Sequence, residues 1–354
     1  MGKLALRKFG YLLLIIFTFA LTIVSISGAF AGTVNPKQNM FLASVGLILP
    51  ILLIINVCFI FYWVIRRKWW FILPIIALAA NYGYISSVLQ FKTNKVISNG
   101  YSLKIMTLNA RNFVDDSQDD SADDIKNYIE EKNIQIVCFQ EYRDHVNGRP
   151  ERISSFLSNI LPYQAITGSI AIFSKFPIVK KDYITFRNSN NCAQWIDIDA
   201  GKGNNLRILN VHMQTTGINS TLRQVSKMEQ QGININNGQR AEMVANRMEY
   251  EYVRRAEQAN IISDIIKDTY TPIILCGDFN DIPSSYTYYK LKGRLKDGFK
   301  TAGNGYMYTY RGAKGLMRID YIMHSQSLEG VNYYSENRQW SDHNPVIMEL
   351  NLPQ

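Results

Sequence analysis

Three long apolar stretches distinguish the first ninety residues of the chain from the remainder. They cover residues 11–31, 41–65 and 69–91. Each stretch is about as long as the ~20 residues that a helix needs to cross a ~30 Å hydrocarbon core. Acidic residues are missing from the first hundred positions, and the first one is Asp115. The pattern therefore predicts that residues 1–91 form a membrane anchor of three transmembrane helices.

The chain changes character after a polar linker at residues 92–102. Short runs rich in Val, Ile, Leu and aromatic residues predict β-strands at 103–109, 134–140, 170–174, 192–198, 205–212, 272–278, 318–323 and 345–351. Amphipathic patterns predict helices at 121–132, 151–160 and 239–267. We expect a single α/β domain over residues 103–354, with helices packed outside paired sheets. The polar stretch 213–238 is interpreted as an insertion or a lid-like loop that leads into the long helix.

Basic residues are concentrated beside the apolar stretches. The net charge of the chain is +9, and residues 1–100 supply all of it, so that residues 101–354 are neutral. A neutral domain gives no electrostatic argument for a polyanionic substrate such as a nucleic-acid duplex. The four cysteines have no spacing typical of a zinc site or a disulfide framework.

The basic clusters also indicate an orientation in the membrane. Three basic residues lie in residues 3–8, and three more, Arg-Arg-Lys at 66–68, separate the second apolar stretch from the third. Because basic segments stay in the cytoplasm, three crossings place the later domain on the extracytoplasmic side. Alternatively, the first stretch is a signal peptide cleaved after Ala31, and the two remaining crossings leave the domain on the same side. The lipid bilayer is thus one predicted partner, and no protein partner can be inferred.

Polar side chains that can bind a metal or move a proton recur at the ends of the predicted strands. In chain order they are Asn109, Glu141, His212, Asp278, Asn280, Asp320, Asp342 and His343. Strand ends are where a rigid scaffold gives way to loops that place catalytic groups. Carboxylate and amide oxygens suit a hard cation, so the set predicts a site for an ion such as Mg²⁺.

Two motifs within this set are specific enough to suggest a family. GDFND at 277–281, followed by Pro283, and SDHNPV at 341–346 resemble motifs of the endonuclease/exonuclease/phosphatase superfamily in order and spacing. Weaker similarities are FQE at 139–141, IFSKFPI at 172–178 and TYRGAKGLMRIDYI at 309–322. The resemblance covers residues 103–351. It implies a four-layer α/β sandwich of two packed, mainly antiparallel sheets with outer helices, and a hydrolase of phosphoric esters that uses Mg²⁺ or Mn²⁺.

The resemblance and the side-chain chemistry together suggest how a metal would be held. Glu141 is the first expected ligand, and Asn109 lies beside it. Asp342 is expected to support a metal, either the same ion or a second one. A bound metal would act as a Lewis acid on the phosphoryl oxygen and would stabilise the leaving group.

The remaining residues of the set are expected to handle protons and the phosphate. Asp278 is the candidate to orient and deprotonate the attacking water, and Asn280 can donate a hydrogen bond to a non-bridging oxygen. His343 is expected to contact the phosphate, with Asp320 fixing its tautomer and favouring its charged form. His212 is expected to stabilise the phosphate or to protonate the leaving group.

Three nearby residues are not assigned to this site. Arg111 lies where some abasic-site endonucleases carry an acidic residue, which argues against a second metal ligand there and against a repair enzyme. Arg255 and Gln258 of the predicted long helix are more typical of a solvated helix face than of groups that reach the site.

Several functions are consistent with the predicted site and membrane anchor. The favoured hypothesis is a membrane-anchored, nuclease-like phosphodiesterase that acts by metal-assisted in-line attack of water. The alternative is a sphingomyelinase-like lipid phosphodiesterase, or another phosphatase at the membrane surface, for which a tether would raise the effective concentration. The substrate is accordingly a nucleic acid or a phospholipid headgroup. An inactive scaffold is disfavoured because every expected side chain is present.

Overall fold

The computed structural model describes residues 2–92, 101–115, 117, 119–143, 152–201 and 203–352. Apolar helices at the N-terminus pack against one another and against a two-sheet domain built by the rest of the chain. Most of the predicted linker, residues 93–100, lies outside the described residues.

The anchor begins with two long helices, α1 (Lys3–Gly28) and α2 (Met40–Ile65). Both are long and apolar enough to cross a membrane. The third predicted span consists of two shorter helices, α3 (Ile72–Ala80) and α4 (Tyr82–Val88), bent by 66° relative to each other. By length and composition the anchor therefore has two spans, or three if the bent pair is one span, rather than three straight helices.

The bend falls at Asn81, which also connects the helices. Its side-chain amide donates to the carbonyl of Ala77 at 2.9 Å and to that of Ser25 in α1 at 2.8 Å. Asn56 of α2 donates to Ser25 Oγ at 2.8 Å. Small and polar residues that bond across apolar helices hold such bundles together. A count of apolar residues cannot show this bend, because it depends on a tertiary hydrogen bond.

The two-sheet domain contains the remaining elements. Its strands, after the short β1 (Leu89–Gln90), are β2 (Tyr101–Asn109), β3 (Ile136–Gln140), β4 (Tyr163–Thr167), β5 (Ile170–Ser174), β6 (Ile178–Thr185), β7 (Cys192–Asp199), β8 (Asn205–His212), β9 (Ile273–Asp278), β10 (Lys296–Asp297), β11 (Gly305–Tyr306), β12 (Asp320–His324), β13 (Glu329–Ser335) and β14 (Val346–Leu352). Its helices are α5 (Ala122–Glu131), α6 (Arg152–Leu157), α7 (Ile218–Gln230), α8 (Asn237–Lys267), α9 (Tyr286–Lys292) and α10 (Gly298–Ala302).

The strands form two six-stranded sheets that are mainly antiparallel. The first has the order β13-β14-β2-β3-β5-β4 and the second β10-β12-β9-β8-β7-β6. Each contains one parallel pair at its centre, β2 with β3 and β8 with β9. A short third sheet pairs β1 with β11 and so connects the end of α4 to the domain.

Three apolar cores divide the domain into four layers. Ile105 and Ile172 of the first sheet meet Ile208 and Ile274 of the second in the central core. A second core packs α5 and α6 against the outer face of the first sheet. A third packs α8 and α9 against the outer face of the second sheet, with Ile262 fully buried. This arrangement confirms the predicted four-layer α/β sandwich.

Some elements differ from the sequence prediction. Every predicted strand is present, but β4, β6, β13 and the two-residue strands β1, β10 and β11 were not predicted. The outer strand β6 is mostly exposed and carries Lys180, Lys181 and Asp182, so its pattern is polar. The interpretation of residues 213–238 as a loop is wrong over α7, a helix that buries little more than Thr221 and Val225. Apolar residues do recur at helical spacing, at Ile218, Leu222, Val225 and Met228, but polar residues dominate the segment and hid this pattern.

Candidate active site

The predicted site residues converge at one edge of the two packed sheets. Asn109 ends β2 and Glu141 follows β3, and these two strands are parallel neighbours. His212 at the end of β8 lies opposite Asp278 at the end of β9, again in a parallel pair. Each sheet therefore brings two side chains to the carboxyl ends of its central strands, where α/β proteins usually bind ligands.

Asn109 connects the carboxylates of the two sheets. Its Nδ2 donates to Glu141 Oε1 at 3.2 Å and to Asp278 Oδ2 at 3.0 Å. Its Oδ1 accepts from the backbone N–H of Arg111 at 3.1 Å. The amide nitrogen, rather than the oxygen, thus faces the two carboxylates. Direct binding of a metal by Asn109 requires the amide to turn, since a metal accepts the oxygen only.

Asp320 and His343 form a buried ion pair beside this group. Asp320 comes from β12 and lies opposite Asp278 in the antiparallel register of β12 and β9. Its Oδ2 accepts from His343 Nδ1 at 2.9 Å. Burial alone would lower the pKa of His343, but the charges of Asp320 and Asp278 outweigh it and raise that pKa to about 10. His343 is therefore an imidazolium at neutral pH, with Nε2 3.9 Å from Asp278 Oδ2.

Asp278 is the most strongly perturbed acid of the group. Its side chain is 1% exposed. Burial, followed by the like charge of Asp320, raises its pKa from 3.8 to about 7. Its Oδ1 accepts from the backbone N–H of Asn280 at 2.8 Å, and its Oδ2 accepts from Asn280 Nδ2 at 3.1 Å. A carboxyl group with a pKa near neutrality is suited to take up and release a proton.

His212 is neutral at neutral pH, whereas His343 carries a positive charge. Its Nε2 is 3.9 Å from both Glu141 Oε1 and Asp278 Oδ2. Burial is the largest influence on its pKa and lowers it. Its Nδ1 has no hydrogen-bond partner among the residues that the structure describes. A neutral imidazole at this position can donate a hydrogen bond through one nitrogen and accept through the other.

Backbone strain occurs at two of the site residues. Glu141 has φ 49° and Asn280 has φ 51°, both in the left-handed region. Such conformations cost on the order of 1–3 kcal/mol each and cluster at functional sites. Asn280 Nδ2 also donates to the carbonyl of Met213 at 3.0 Å, so both amide protons are already used within the protein. Asn280 therefore holds Asp278 in this arrangement.

Asp342 lies at the margin of the group. Its Oδ1 accepts from Ser341 Oγ at 3.3 Å, and its side chain is half-buried. Its charge is one of those that raise the pKa of His343. The structure thus places Asp342 near the imidazolium.

A divalent cation fits the donor set of this site. Ligand atoms of Asp278, Asp320 and His343 lie within 4.8 Å of one another. An imidazolium cannot bind a metal, however, because both of its nitrogens carry protons. Outside that ion pair, the carboxylate of Glu141 beside the Asn109 amide is the better oxygen donor for a hard ion.

A buried polar bridge that the sequence did not reveal joins the two sheets beneath the site. Gln140 Nε2 donates to Thr107 Oγ1 at 3.0 Å and to Asn210 Oδ1 at 2.6 Å. Asn210 Nδ2 donates to the carbonyl of Phe139 at 2.9 Å. Gln140 precedes Glu141, and Asn210 lies two residues before His212. The bridge therefore fixes the spacing between the two halves of the site.

The long helix supports the site in a way that contradicts the prediction for two of its residues. Arg255 and Gln258 are buried rather than solvated, with exposures of 0% and 3%. Arg255 Nε donates to Asp281 Oδ2 at 3.0 Å. Gln258 Oε1 accepts from the backbone N–H of Gln214 at 2.8 Å. The two side chains brace the loops that follow β9 and β8.

Tyr310, which lies in the family-like segment 309–322 but was given no role from the sequence, is a further residue of the site. Its ring centroid is 5.1 Å from that of His343. Asn219 of α7 approaches its hydroxyl group at 3.5 Å. Only the tertiary structure brings this ring over the imidazolium, since Tyr310 and His343 are joined through an isolated β-bridge.

A two-sheet sandwich with carboxylates and histidines at one edge defines the class of α/β phosphoesterases. The family model described as "Endonuclease/Exonuclease/phosphatase family" matches residues 106–343, and the chain belongs to this family. Its members are metal-dependent phosphoesterases, so the chain is a hydrolase of phosphoric esters. The predicted family and enzyme class are thereby confirmed. Residues 11–88 match a second family model, which is described as a domain of unknown function.

Solved structures share the fold at low sequence identity. An endonuclease/exonuclease/phosphatase from Beutenbergia cavernae DSM 12333 is 18% identical with a TM-score of 0.52, covering 71% of this chain and 72% of that one. One from Bacteroides vulgatus is also 18% identical with a TM-score of 0.52, covering 72% of this chain and 100% of that one. No curated protein matches the chain.

Proposed function

We propose that this protein is a Mg²⁺-dependent phosphodiesterase that is anchored in a membrane, with its catalytic domain on the extracytoplasmic side. The observation that carries the proposal is the pairing of a buried acid and a buried cation. Asp278, with a pKa near 7, lies 3.9 Å from His343, whose pKa of about 10 keeps it charged at neutral pH. This pair suits attack of water on a phosphate, which needs a base and a positive charge together.

Some of the side chains act on the attacking water, and others act on the phosphate. Asp278 orients the attacking water and accepts its proton, and Asn280 and Asn109 hold the Asp278 carboxylate by donating to it. His343 stabilises negative charge on the phosphate oxygens, with its ring fixed by Asp320. His212, kept neutral by burial, hydrogen-bonds the phosphate or delivers a proton to the leaving oxygen.

Glu141 would hold the metal through its carboxylate, Asn109 would add its amide oxygen once that amide has turned from the arrangement seen here, and Asp342 would support the ion. When bound, Mg²⁺ supplies Lewis-acid activation of the phosphoryl oxygen and neutralises charge on the leaving group. The reaction is in-line attack of water on a phosphodiester, the chemistry predicted from the sequence as nuclease-like. Lipid phosphodiesterases use the same chemistry, so the substrate is decided by what surrounds the site.

The shape of the anchor supports the proposed orientation. Arg7, Lys8, Arg66 and Lys68 line one surface pocket and therefore lie at the same end of the helices. The catalytic domain packs at the other end, where Ser284 Oγ donates to the carbonyl of Gly46 at 2.9 Å. Because basic ends remain in the cytoplasm, the site belongs on the opposite side.

Hydrolysis by the full-length chain in detergent micelles tests this proposal. Bis-p-nitrophenyl phosphate, DNA and RNA are offered with Mg²⁺ or with EDTA. We expect Mg²⁺-dependent cleavage that falls by about 10²–10⁴-fold in Asp278→Ala. The control is Asp264→Ala, whose side chain is 68% exposed and paired with a neighbouring lysine on the helix surface. Equal activity of both variants, or activity that survives EDTA, would refute the proposed chemistry.

A further inference from the structure

The anchor docks on the same end of the catalytic domain that carries the site. Leu49 of α2 and Val88 of α4 form one apolar cluster with Ile282 and Ile319 of the catalytic domain. Ile282 follows Asn280 by two residues, and Ile319 directly precedes Asp320. The apolar helices are therefore packed against the very loops that place the catalytic groups.

Tyr310 contacts both this apolar cluster and the catalytic site. Its half-buried side chain packs against this apolar cluster, and its ring centroid lies 5.1 Å from that of His343. A single aromatic side chain thus connects the imidazolium to the apolar cluster in which anchor and domain meet. One ring and one van der Waals contact place His343 on the order of 10 Å from that cluster.

Polar contacts fix the orientation of the anchor on the domain. Ser284 Oγ donates to the carbonyl of Gly46 in α2 at 2.9 Å. Arg318, which is 1% exposed and paired with Asp297, donates to the carbonyl of Ser87 in α4 at 2.7 Å. Leu89 pairs with Tyr306 in the short β1–β11 sheet. Three contacts from different elements make this a defined interface.

Helix length places this interface at the surface of the bilayer. The basic turn at residues 66–68 marks one boundary of the hydrocarbon core, directly after Ile65. A rise of ~1.5 Å per residue over a ~30 Å core corresponds to about 20 residues and reaches Val45. The contact between Gly46 and Ser284 thus lies at the opposite boundary. Exposed aromatic side chains occur there as well, at Phe41 and Tyr289, as in an interfacial aromatic belt.

We infer that the substrate is a phosphoester of a membrane lipid, whose phosphate enters the site from the headgroup layer beside the anchor. The inference rests on the proposed function. A headgroup phosphate lies within the first several ångströms outside the hydrocarbon core, which is the level at which the structure holds the site. Residues 101–354 have no net positive charge, so charge gives no argument for binding a nucleic-acid backbone.

The reaction leaves one product in the membrane. Water adds its oxygen to phosphorus, one P–O ester bond breaks, and the departing oxygen takes up a proton. A lipid phosphodiester therefore yields a water-soluble fragment and a fragment that keeps the acyl chains. Exposed apolar side chains of α2 near this boundary, Phe41 and Ile48, give the acyl-bearing part of the substrate an apolar surface.

The experiment uses the full-length chain in nanodiscs with Mg²⁺. The discs contain phosphatidylcholine, phosphatidylethanolamine and phosphatidylglycerol in equal parts, and phosphorus NMR follows the released fragment. Bis-p-nitrophenyl phosphate, single-stranded and duplex DNA, and RNA are assayed with the same discs. We expect cleavage of at least one lipid, at a rate per site well above that of the corresponding deacylated headgroup ester in solution.

A substitution in the docking interface tests the lipid substrate separately from the proposed phosphodiesterase activity. A Cβ atom at Gly32 would lie 2.2 Å from the Tyr289 ring, so Gly32→Leu forces the anchor away from α9. Gly10→Leu is the matched control, because nothing lies within 4 Å of a Cβ atom there. We expect Gly32→Leu to lower lipid cleavage about tenfold relative to cleavage of bis-p-nitrophenyl phosphate, and Gly10→Leu to leave the ratio unchanged.

The outcomes are distinguishable. Cleavage of nucleic acid or of soluble esters without cleavage of lipid overturns this inference and leaves the proposed function intact. An unchanged ratio in Gly32→Leu also overturns it. Absence of metal-dependent cleavage of every substrate overturns the proposed function itself. If Gly32→Leu does not fold, the comparison of lipid with deacylated ester in the wild-type discs decides the matter.

Discussion

Asp278 should weaken the fold of the metal-free protein, and replacing it should make that protein more stable. An acid whose pKa is higher in the folded state than in the unfolded chain binds more protons when folded. Stability is therefore lost as the pH rises from about 4, the unfolded pKa, to about 7, the folded pKa of Asp278. At ~1.36 kcal/mol per pKa unit the full penalty above pH 7 is about 4 kcal/mol.

The substitution Asp278→Asn removes this penalty at the expense of some hydrogen bonds. Oδ2 of Asp278 accepts from Asn109 Nδ2 and from Asn280 Nδ2. An amide NH₂ in its place cannot accept them, and two lost hydrogen bonds cost about 2 kcal/mol. A gain of about 4 against a loss of about 2 leaves the variant about 2 kcal/mol more stable at pH 8, or about 4–8 °C in Tm for a domain of this size.

Thermal unfolding of the full-length chain in micelles with EDTA measures this difference. Wild type, Asp278→Asn and the exposed control Asp264→Asn are compared at pH 5, 6, 7 and 8. We expect the advantage of Asp278→Asn to grow with pH and then to level off above pH 7. Adding Mg²⁺ should favour the wild type, since the Asp278 carboxylate adds negative charge beside the bound cation and so strengthens its binding. A variant that melts below the wild type by the same amount at every pH would show that Asp278 is not a buried acid of raised pKa.

Three further predictions concern other parts of the site. Asp320→Asn removes the charge that holds a proton on His343, so the alkaline limb of the pH–rate profile should move from near pH 10 toward neutrality, with a lower kcat. Glu141→Gln should raise the Mg²⁺ concentration for half-maximal activity by about tenfold or more, as measured by metal titration of hydrolysis. Gly277→Ala should destabilise the fold by more than about 3 kcal/mol, because φ is 135° and a Cβ atom would lie 2.0 Å from the carbonyl oxygen of Val211; Tm in micelles checks this.

The sequence predicts strands best where both faces are buried. β3, β5 and β9 are buried along their whole length, so each is a continuous apolar run. The outer strands give no such signal, because a strand such as β6 exposes most of its residues to solvent. α7 was missed because most of its residues are polar and exposed, although Ile218, Leu222, Val225 and Met228 do recur at helical spacing.

The site was predictable as a set of residues but not as a set of contacts. A polar side chain directly after an apolar run marks a strand end, and the parallel register then brings His212 opposite Asp278. The bridge from Gln140 to Asn210 crosses between the two sheets, so no pattern along the chain reveals it. The burial of Arg255 likewise depends on Asp281, a residue that only the folded chain brings near.

Three consecutive residues connect the anchor to the catalytic site. Arg318 donates to the backbone of α4, Ile319 packs in the apolar cluster with Leu49, and Asp320 holds His343. Buried side chains in such a segment shift together, because close packing leaves no space to absorb a displacement. Removal of the anchor would leave Arg318 without one of its acceptors and would expose Ile319 beside the catalytic carboxylate. The helices at the N-terminus are therefore part of the structure that positions the imidazolium, in addition to being a tether.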